Sequence, residues 1–267
     1  MLEFTFLWTL APVAIAFFFV GIYKNVVSRL AYVAWVNTPG REQDIYRDTR
    51  VRLGFPRLRT MVNEALLQKR IRNRSTYLWI RHMLIFFGFV PLLVFDLLSF
   101  ILGKLLHKYG DLQYFANGAG RAFLKVGLEV SGTVLFIGLT LALVHRIVFA
   151  KEERKCVDLK VILLLWVVVL SGFLTEIFRF VLTPADPFRQ YSFLADRVAQ
   201  AVAGLPLPWT AIEGWMWLGH VGIALFFFAY IPYSKLVHTL VAPIGRSVTM
   251  GQDTAKLKME KIGEAWL

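Results

Sequence analysis

Residues 161–182 read VILLLWVVVLSGFLTEIFRFVL, and this stretch decides the fold. It contains only two charged side chains, Glu176 and Arg179, and a helix needs about 20 mostly apolar residues to cross a bilayer. Four further stretches share this length and apolar character: residues 4–23, 78–102, 123–150 and 209–241. The sequence therefore predicts an all-α integral membrane protein, a bundle of five transmembrane helices.

The composition of the whole chain supports this fold class. Hydrophobic residues make up 57% of the 267 residues, whereas a soluble domain is about 45–50% apolar. The single cysteine, Cys156, excludes a disulfide framework and a cysteine-ligated iron–sulfur cluster within this chain. The formal net charge of +12 indicates basic loops of a membrane protein rather than a nucleic-acid partner.

The distribution of basic residues predicts the orientation of the helices. The segments at the ends of the first, third and fifth spans are rich in Lys and Arg: Lys24–Arg81 contains 13, Arg146–Lys160 contains 5 and Lys235–Leu267 contains 5. The two opposite segments, Lys104–Arg121 and Thr183–Pro208, contain 3 and 2. Basic loops remain in the cytoplasm. We therefore expect the N-terminus outside and the C-terminus inside a cytoplasmic (inner) membrane that the chain crosses several times.

The loop at residues 24–77 contains a helical pattern of apolar side chains. These residues recur with helical spacing between basic ones: Leu58, Met61, Val62, Ala65 and Leu66. This spacing predicts a cytoplasmic amphipathic helix between the first two spans. Such a helix lies on anionic lipid or provides a docking surface for a partner, and the two interpretations are compatible. We expect one transmembrane domain over residues 1–250 and a cytoplasmic tail over 251–267.

The five histidines lie near the ends of the predicted spans. His82, His145 and His238 fall on the predicted inner side, His220 lies in the outer part of the fifth span, and His107 lies at or beyond the outer end of the second. His220 and His238 are 18 residues apart, which on one continuous helix is five whole turns and about 27 Å. Two imidazoles on one face at these depths are typical of a helical bundle that holds two b-type haems.

The pairing of these histidines is less constrained than their depth. For the inner haem we favour His82 with His238, and His145 as the substitute for either. His220 has no evident second ligand at its depth, because His107 overshoots it by about 10 Å along a straight helix. The outer iron therefore uses His107, remains five-coordinate or is absent, so two haems are expected and one is possible. Histidines at helix ends are also often simply hydrated.

These features resemble the membrane cytochrome b family that includes the gamma subunit of respiratory nitrate reductase. Within it, the chain is most similar to the membrane subunits of heterodisulfide reductase and of the sulfite-reduction-linked Dsr complexes. The resemblance covers about residues 75–245. The matching segments are Arg81-His82, His145-Arg146, Ser171-Gly172-Phe173-Leu174 with Glu176 and Arg179, Gly219-His220, and Tyr233-Ser234-Lys235-Leu236-Val237-His238.

The resemblance implies an electron-transfer subunit of a quinol-linked oxidoreductase complex. Such a subunit exchanges electrons between a membrane quinone, for example menaquinone, and a separate cytoplasmic iron–sulfur subunit. The nitrate reductase gamma subunit takes two haem ligands from its second span. Here Leu92 stands at the place of the second one, which favours the heterodisulfide-reductase-like branch.

Ionisable residues within a span are candidate functional groups. Asp96, Glu176 and Arg179 all lie in the outer halves of their spans, and the last two have the i, i+3 spacing of a helical pair. Three interpretations remain open: a structural salt bridge, a haem propionate bound by Arg179, or a quinone site where Glu176 or Asp96 takes up protons. Further basic residues are candidate partners for propionates, or anchors at the membrane surface: Arg81, Arg146 and Lys235 inside, and Lys104 and Arg121 outside.

Two other classes of function fit an apolar five-span chain. A small transporter would need charges at the centre of the bundle or inverted-repeat symmetry, and neither is visible in the sequence. A haem-free membrane anchor for a peripheral enzyme would tolerate replacement of His220 and His238.

Overall fold

The computed structural model describes residues 2–27, 67, 72–73, 75–102, 114–148, 158–234 and 236. These residues are helical throughout, with turns between the helices and no strand among them. The α-helices are α1 (Leu2–Ile22), α2 (Thr76–Phe100), α3 (Tyr114–Asn117), α4 (Ala119–Val148), α5 (Asp158–Leu182), α6 (Phe193–Val202) and α7 (Trp209–Tyr230). A π-helical turn (Tyr23–Val27) follows α1, and single 3-10 turns (Arg189–Tyr191 and Ile231–Tyr233) precede α6 and follow α7.

Five of these helices, α1, α2, α4, α5 and α7, are long and apolar enough to cross a membrane. The predicted all-α class with five membrane-spanning helices is therefore confirmed in length and composition. Large apolar side chains point outward from these helices, with exposed fractions of 62% for Phe123, 64% for Phe19 and 77% for Trp215. Outward apolar side chains of this size are expected where lipid, rather than water, is the solvent.

The helices are long and apolar enough to cross a membrane, but their length and composition do not give the orientation of the chain in it. Two predicted segments also lie outside the described residues: the amphipathic pattern at residues 58–66 and the tail at 251–267. We keep the predicted orientation as a convention for naming the helix ends. The start of α2 and the end of α4 are called inner, and the end of α5 and the start of α4 are called outer.

Helices α2 and α4 pack against each other in antiparallel register through glycines. A β-carbon added to Gly88 would lie 2.5 Å from the backbone nitrogen of Leu135, and one added to Gly138 would lie 2.9 Å from that of Ile85. Gly127 contacts the ring of Phe95 in the same way. Small residues let membrane helices approach to backbone contact, so this pair is fixed along its length.

Helix α5 packs against α4 on one side and against α6 at its outer end. Trp166 on α5 donates its indole N–H to the hydroxyl of Thr140 on α4 at 3.1 Å. At the outer end a small apolar core joins α5 to α6, and its buried members are Ile177, Phe180, Ala195 and Ala199. Helix α6 lies in the loop between the fourth and fifth spans, where the sequence analysis predicted no helix.

The last span differs from its predicted form. The α-helix ends at Tyr230, a 3-10 turn containing Pro232 follows, and Ser234 is extended with φ −98° and ψ 170°. Proline lacks the N–H that an α-helix needs and clashes with the preceding turn, which explains the end of the helix. The helix expected to run continuously over residues 209–241 is therefore interrupted after Tyr230, and residues 237–241 lie outside the described residues. The estimate of 27 Å between His220 and His238 no longer applies.

The chain divides into two compact units. The first comprises Met1–Pro12 and Tyr77–Phe227, and the second Val13–Thr76 and Phe228–Leu267. Within the second unit, the rings of Phe18 and Phe228 stack with centroids 4.4 Å apart, and the Tyr233 hydroxyl donates to the Phe17 carbonyl at 3.2 Å. Apart from Lys235 and His238, the site residues named next belong to the first unit.

Candidate functional site

His220 on α7 lies against the face of α5 that carries Ser171 and Gly172. Its Nδ1 atom is 2.9 Å from the Ser171 hydroxyl oxygen. A β-carbon added to Gly172 would lie 3.1 Å from Cε1 of His220 and 3.6 Å from Nε2. The imidazole is thus hydrogen-bonded at Nδ1 and packed on a glycine, and this arrangement is typical of a ring held in a fixed orientation.

The glycines beside His220 have different surroundings. A β-carbon on Gly219 would meet no atom within 4 Å, whereas one on Gly222 would lie 3.7 Å from the ring of Phe6. The structure therefore places Gly222 in helix packing and leaves open space at Gly219. Gly219 thus lies on an exposed side of α7.

The inner ends of α2 and α4 bring Arg81 and His145 to the same aromatic ring. The Tyr77 ring lies 5.3 Å from the His145 ring between centroids, and the Arg81 guanidinium carbon lies 5.7 Å from the Tyr77 centroid. His82 follows Arg81 on α2, so the antiparallel register places His82 and His145 at the same end of this helix pair. The Nη1 atom of Arg81 is buried and has no hydrogen-bond partner among the described residues.

Glu176 lies at the centre of a cluster of polar side chains at the outer end of α5. Its Oε1 atom accepts from Lys125 Nζ at 2.9 Å, from Arg179 Nη2 at 3.0 Å and from the Ser192 hydroxyl at 3.0 Å. The predicted pair of Glu176 with Arg179 is therefore present. The contacts with Lys125 and Ser192 link α4, α5 and the start of α6, which favours the structural interpretation of this pair.

Two buried charged residues of α4 were missed by the sequence analysis. Lys125 is 8% exposed and Glu129 is 2% exposed. Oε1 of Glu129 accepts from the backbone N–H groups of Leu194 and Ala195 at 2.7 and 3.2 Å, at the start of α6. Oε2 of Glu129 is buried with no hydrogen-bond partner among the described residues. The i, i+4 spacing of a lysine and a glutamate within a predicted span is the signal that could have identified them.

The other predicted site residues are dispersed. Asp96 lies on an exposed side of α2, and Arg121 pairs with Asp186 at 3.5 Å near the start of α4. Arg146 is half-buried at the inner end of α4, and Nε of Arg179 is buried without a hydrogen-bond partner in the part of the chain that is described. Four predicted residues lie outside the described residues: Lys104, His107, Lys235 and His238.

Leu92 packs inward against α4. Its Cδ1 atom lies 3.9 Å from the position of a β-carbon on Gly132 of α4. Cζ of the Phe173 ring on α5 lies 3.3 Å from the same position. An apolar side chain thus occupies this position of α2, in contact with α4. Among the described residues, no group of three or more His, Cys, Asp or Glu side chains is arranged to hold a metal ion.

Comparison with known proteins gives one family and several relatives. The model of the family described as "Nitrate reductase gamma subunit" matches residues 112–249. The chain is 32% identical over 195 residues to a subunit of the dihydromethanophenazine:CoB–CoM heterodisulfide reductase of Methanosarcina acetivorans, covering 72% of this chain and 66% of the relative, just under two thirds. The identically named subunit from Methanosarcina thermophila is 30% identical, and the match covers 74% of this chain and 68% of the relative. The one from Methanosarcina barkeri is 29% identical, and the match covers 73% of this chain and 67% of the relative. No solved structure is significantly similar to the chain.

Proposed function

This chain belongs to the nitrate reductase gamma subunit family, and from that premise we propose that it is the haem b-carrying membrane subunit of a respiratory electron-transfer complex. Its relatives are named as subunits of a heterodisulfide reductase, whose name gives a dihydrophenazine and a disulfide as the reacting pair. In our proposal this chain exchanges electrons between a two-electron carrier in the membrane, a quinol or a compound of similar chemistry, and a cytoplasmic iron–sulfur subunit.

The observation that carries the proposal is the setting of His220. Histidines that bind iron in proteins use their second ring nitrogen to hydrogen-bond a neighbouring group, which fixes the ring. Nδ1 of His220 has such a neighbour in Ser171, and the imidazole packs directly on the bare backbone of Gly172. The donor chemistry and the fixed orientation of the ring therefore fit haem ligation by His220.

Haem b, when bound, accepts and releases single electrons, which the donor and acceptor partners exchange with it. In our proposal His220 holds the outer haem, and His82 and His145 are candidate ligands for the inner one, together with His238. His107 remains a candidate second ligand on the outer side. Two haems are expected and one is possible.

Two buried guanidinium nitrogens support the propionate part of the proposal. Arg81 Nη1 at the inner end and Arg179 Nε at the outer end are both buried and have no hydrogen-bond partner among the described residues. A buried donor of this kind costs free energy unless it is paired. A haem propionate is a carboxylate that pairs well with a guanidinium. Arg146 and Lys235 are further candidates on the inner side.

The carboxyl groups suggest where protons of a quinol would go. Glu176 already accepts from three donors through Oε1, so in our proposal it holds the outer cluster together. Asp96 is exposed on α2 in the outer half of its span and is the better placed of the two to meet a lipid-soluble quinol. In the direction we favour, quinol is oxidised on the outer side, protons leave there, and the electrons reach the iron–sulfur subunit on the basic inner face.

A reduced-minus-oxidised absorption spectrum of the purified chain tests the proposal. We expect the α-band of b-type haem, and its partial loss in His220→Ala, because one of the expected haems loses a ligand. Trp215→Leu is the matched control, since this side chain lies on the same helix and is 77% exposed. A colourless wild-type chain would instead support a haem-free anchor, and unchanged haem content in His220→Ala would overturn the assignment of His220.

A further inference from the structure

Ser171 is placed to decide which nitrogen of His220 carries a proton. Its hydroxyl oxygen lies 3.0 Å from the backbone carbonyl of Val168 and 2.9 Å from Nδ1 of His220, and the residue is 8% exposed. A serine hydroxyl has one hydrogen to donate. If that hydrogen goes to the Val168 carbonyl, the oxygen accepts from Nδ1–H of the imidazole.

The Val168 carbonyl favours this direction. It accepts the hydrogen of the Ser171 hydroxyl at 3.0 Å. A carbonyl oxygen can only accept, so the single Ser171 hydrogen is taken up there and the hydroxyl oxygen is left to accept from the imidazole. This arrangement favours the tautomer with the proton on Nδ1, which leaves the lone pair on Nε2.

From this geometry we propose that Ser171 is a positioning residue that holds Nδ1–H of His220 and presents Nε2 to haem iron. The inference rests on the proposed function of His220 as a haem ligand. Ser171 acts through its hydroxyl, and Gly172 lets the ring lie against α5, because a β-carbon there would be 3.1 Å from Cε1 of His220. Acceptors of this kind fix the ring and raise the basicity of the ligand nitrogen.

The test compares haem retention and midpoint potential in purified Ser171→Ala, Ser171→Thr and wild type. In Ser171→Ala we expect haem affinity at the His220 site to fall by about 10–100-fold. The midpoint potential of that haem should rise, because a less basic imidazole stabilises ferric iron less. Ser171→Thr keeps a hydroxyl and should stay near wild type in both measurements.

Thr175→Ala is the matched control for loss of a hydroxyl on α5. The Thr175 hydroxyl donates to the Ser171 carbonyl at 2.8 Å, one turn along the same helix, so its removal should change neither measurement. Wild-type haem affinity and potential in Ser171→Ala would overturn the inference. So would a threonine variant that restores neither, because packing rather than the hydroxyl would then be responsible.

His220→Ala separates this inference from the proposed function. If His220→Ala keeps the full haem content, the assignment of His220 as a ligand fails. If His220→Ala loses haem while Ser171→Ala matches wild type in affinity and potential, the ligand assignment stands and the role of Ser171 is refuted.

Discussion

Gly88 on α2 lies against the backbone of Leu135 on α4, so closely that a β-carbon on Gly88 would be 2.5 Å from the Leu135 nitrogen and 2.6 Å from its Cα. No flexible side chain is available there to move aside. Along α2, Gly88 lies six residues after His82, and along α4, Leu135 lies ten residues before His145. The separation of the two helices therefore depends on the absence of a side chain at this position.

Gly88→Ala should destabilise the folded chain, because a methyl group against backbone forces α2 and α4 apart. We expect a loss of about 1–3 kcal/mol in the free energy of unfolding, the usual cost of overpacking. Unfolding of the detergent-solubilised chain by denaturant measures this loss. Gly219→Ala is the control, since nothing lies within 4 Å of its added β-carbon, and it should stay within about 0.5 kcal/mol of wild type. Equal stability of the two variants would contradict the close contact.

Glu129→Ala should loosen α6 from the outer end of α4. The carboxylate accepts from the backbone N–H groups of Leu194 and Ala195, and it lies at the positive end of the α6 dipole. Its removal leaves two donors without their partner, and we expect a cost of about 2–3 kcal/mol. Hydrogen exchange at these two amides is the measurement and should become faster.

Glu129→Gln serves as the control for this change. The amide keeps an acceptor oxygen but loses the charge, so its effect on exchange should be smaller than that of alanine. Unaltered exchange in Glu129→Ala would show that α6 is held without this carboxylate.

The spans and the pair of Glu176 with Arg179 could be predicted from sequence because both depend on local spacing. The length of an apolar run can be read directly from the sequence and compared with the length that a bilayer requires. Residues three apart on a helix share a face. The end of α7 was also within reach of the sequence, since Pro232 stands inside the stretch expected to be helical. The hydropathy pattern outweighed that proline because residues on both sides of it are apolar.

The contacts between different helices at the candidate site could not be predicted, because they join residues far apart in the chain. Ser171 and His220 are 49 residues apart, and Glu129 meets Ala195 across 66. Helical periodicity assigns a side chain to a face but does not identify the helix that the face meets. The length of α4 gives a partial reason for its charges: its 30 residues extend about 45 Å, beyond a hydrocarbon core of about 30 Å.

Lys125 and Glu176 should show a measurable coupling energy in a double-mutant cycle. The Nζ to Oε1 distance is 2.9 Å and the side chains are 9% and 25% exposed, so each loses much of its hydration. We expect Lys125→Ala to cost about 1–3 kcal/mol, since Arg179 and Ser192 continue to donate to Glu176. Measuring unfolding of both single variants and of the double variant gives the coupling.

Arg121 and Asp186 provide the comparison for this cycle. Their distance is 3.5 Å and Arg121 is 33% exposed, so Arg121→Ala should cost less than about 1 kcal/mol. A coupling for Lys125 with Glu176 no larger than that for Arg121 with Asp186 would mean that burial does not strengthen the Lys125–Glu176 pair.

Tyr77→Leu and Tyr77→Phe should differ in stability, because the ring and the hydroxyl of Tyr77 have different contacts. The ring lies between Arg81 and His145, whereas the hydroxyl donates to the Leu141 carbonyl at 3.4 Å, a long bond. We expect Tyr77→Leu to cost about 1–2 kcal/mol from the cation–π contact and lost ring packing. Tyr77→Phe should cost less than about 0.5 kcal/mol, because it loses only that long hydrogen bond. Denaturant unfolding of both variants decides between them: equal losses would place the stabilising contact at the hydroxyl and not at the ring that joins Arg81 to His145.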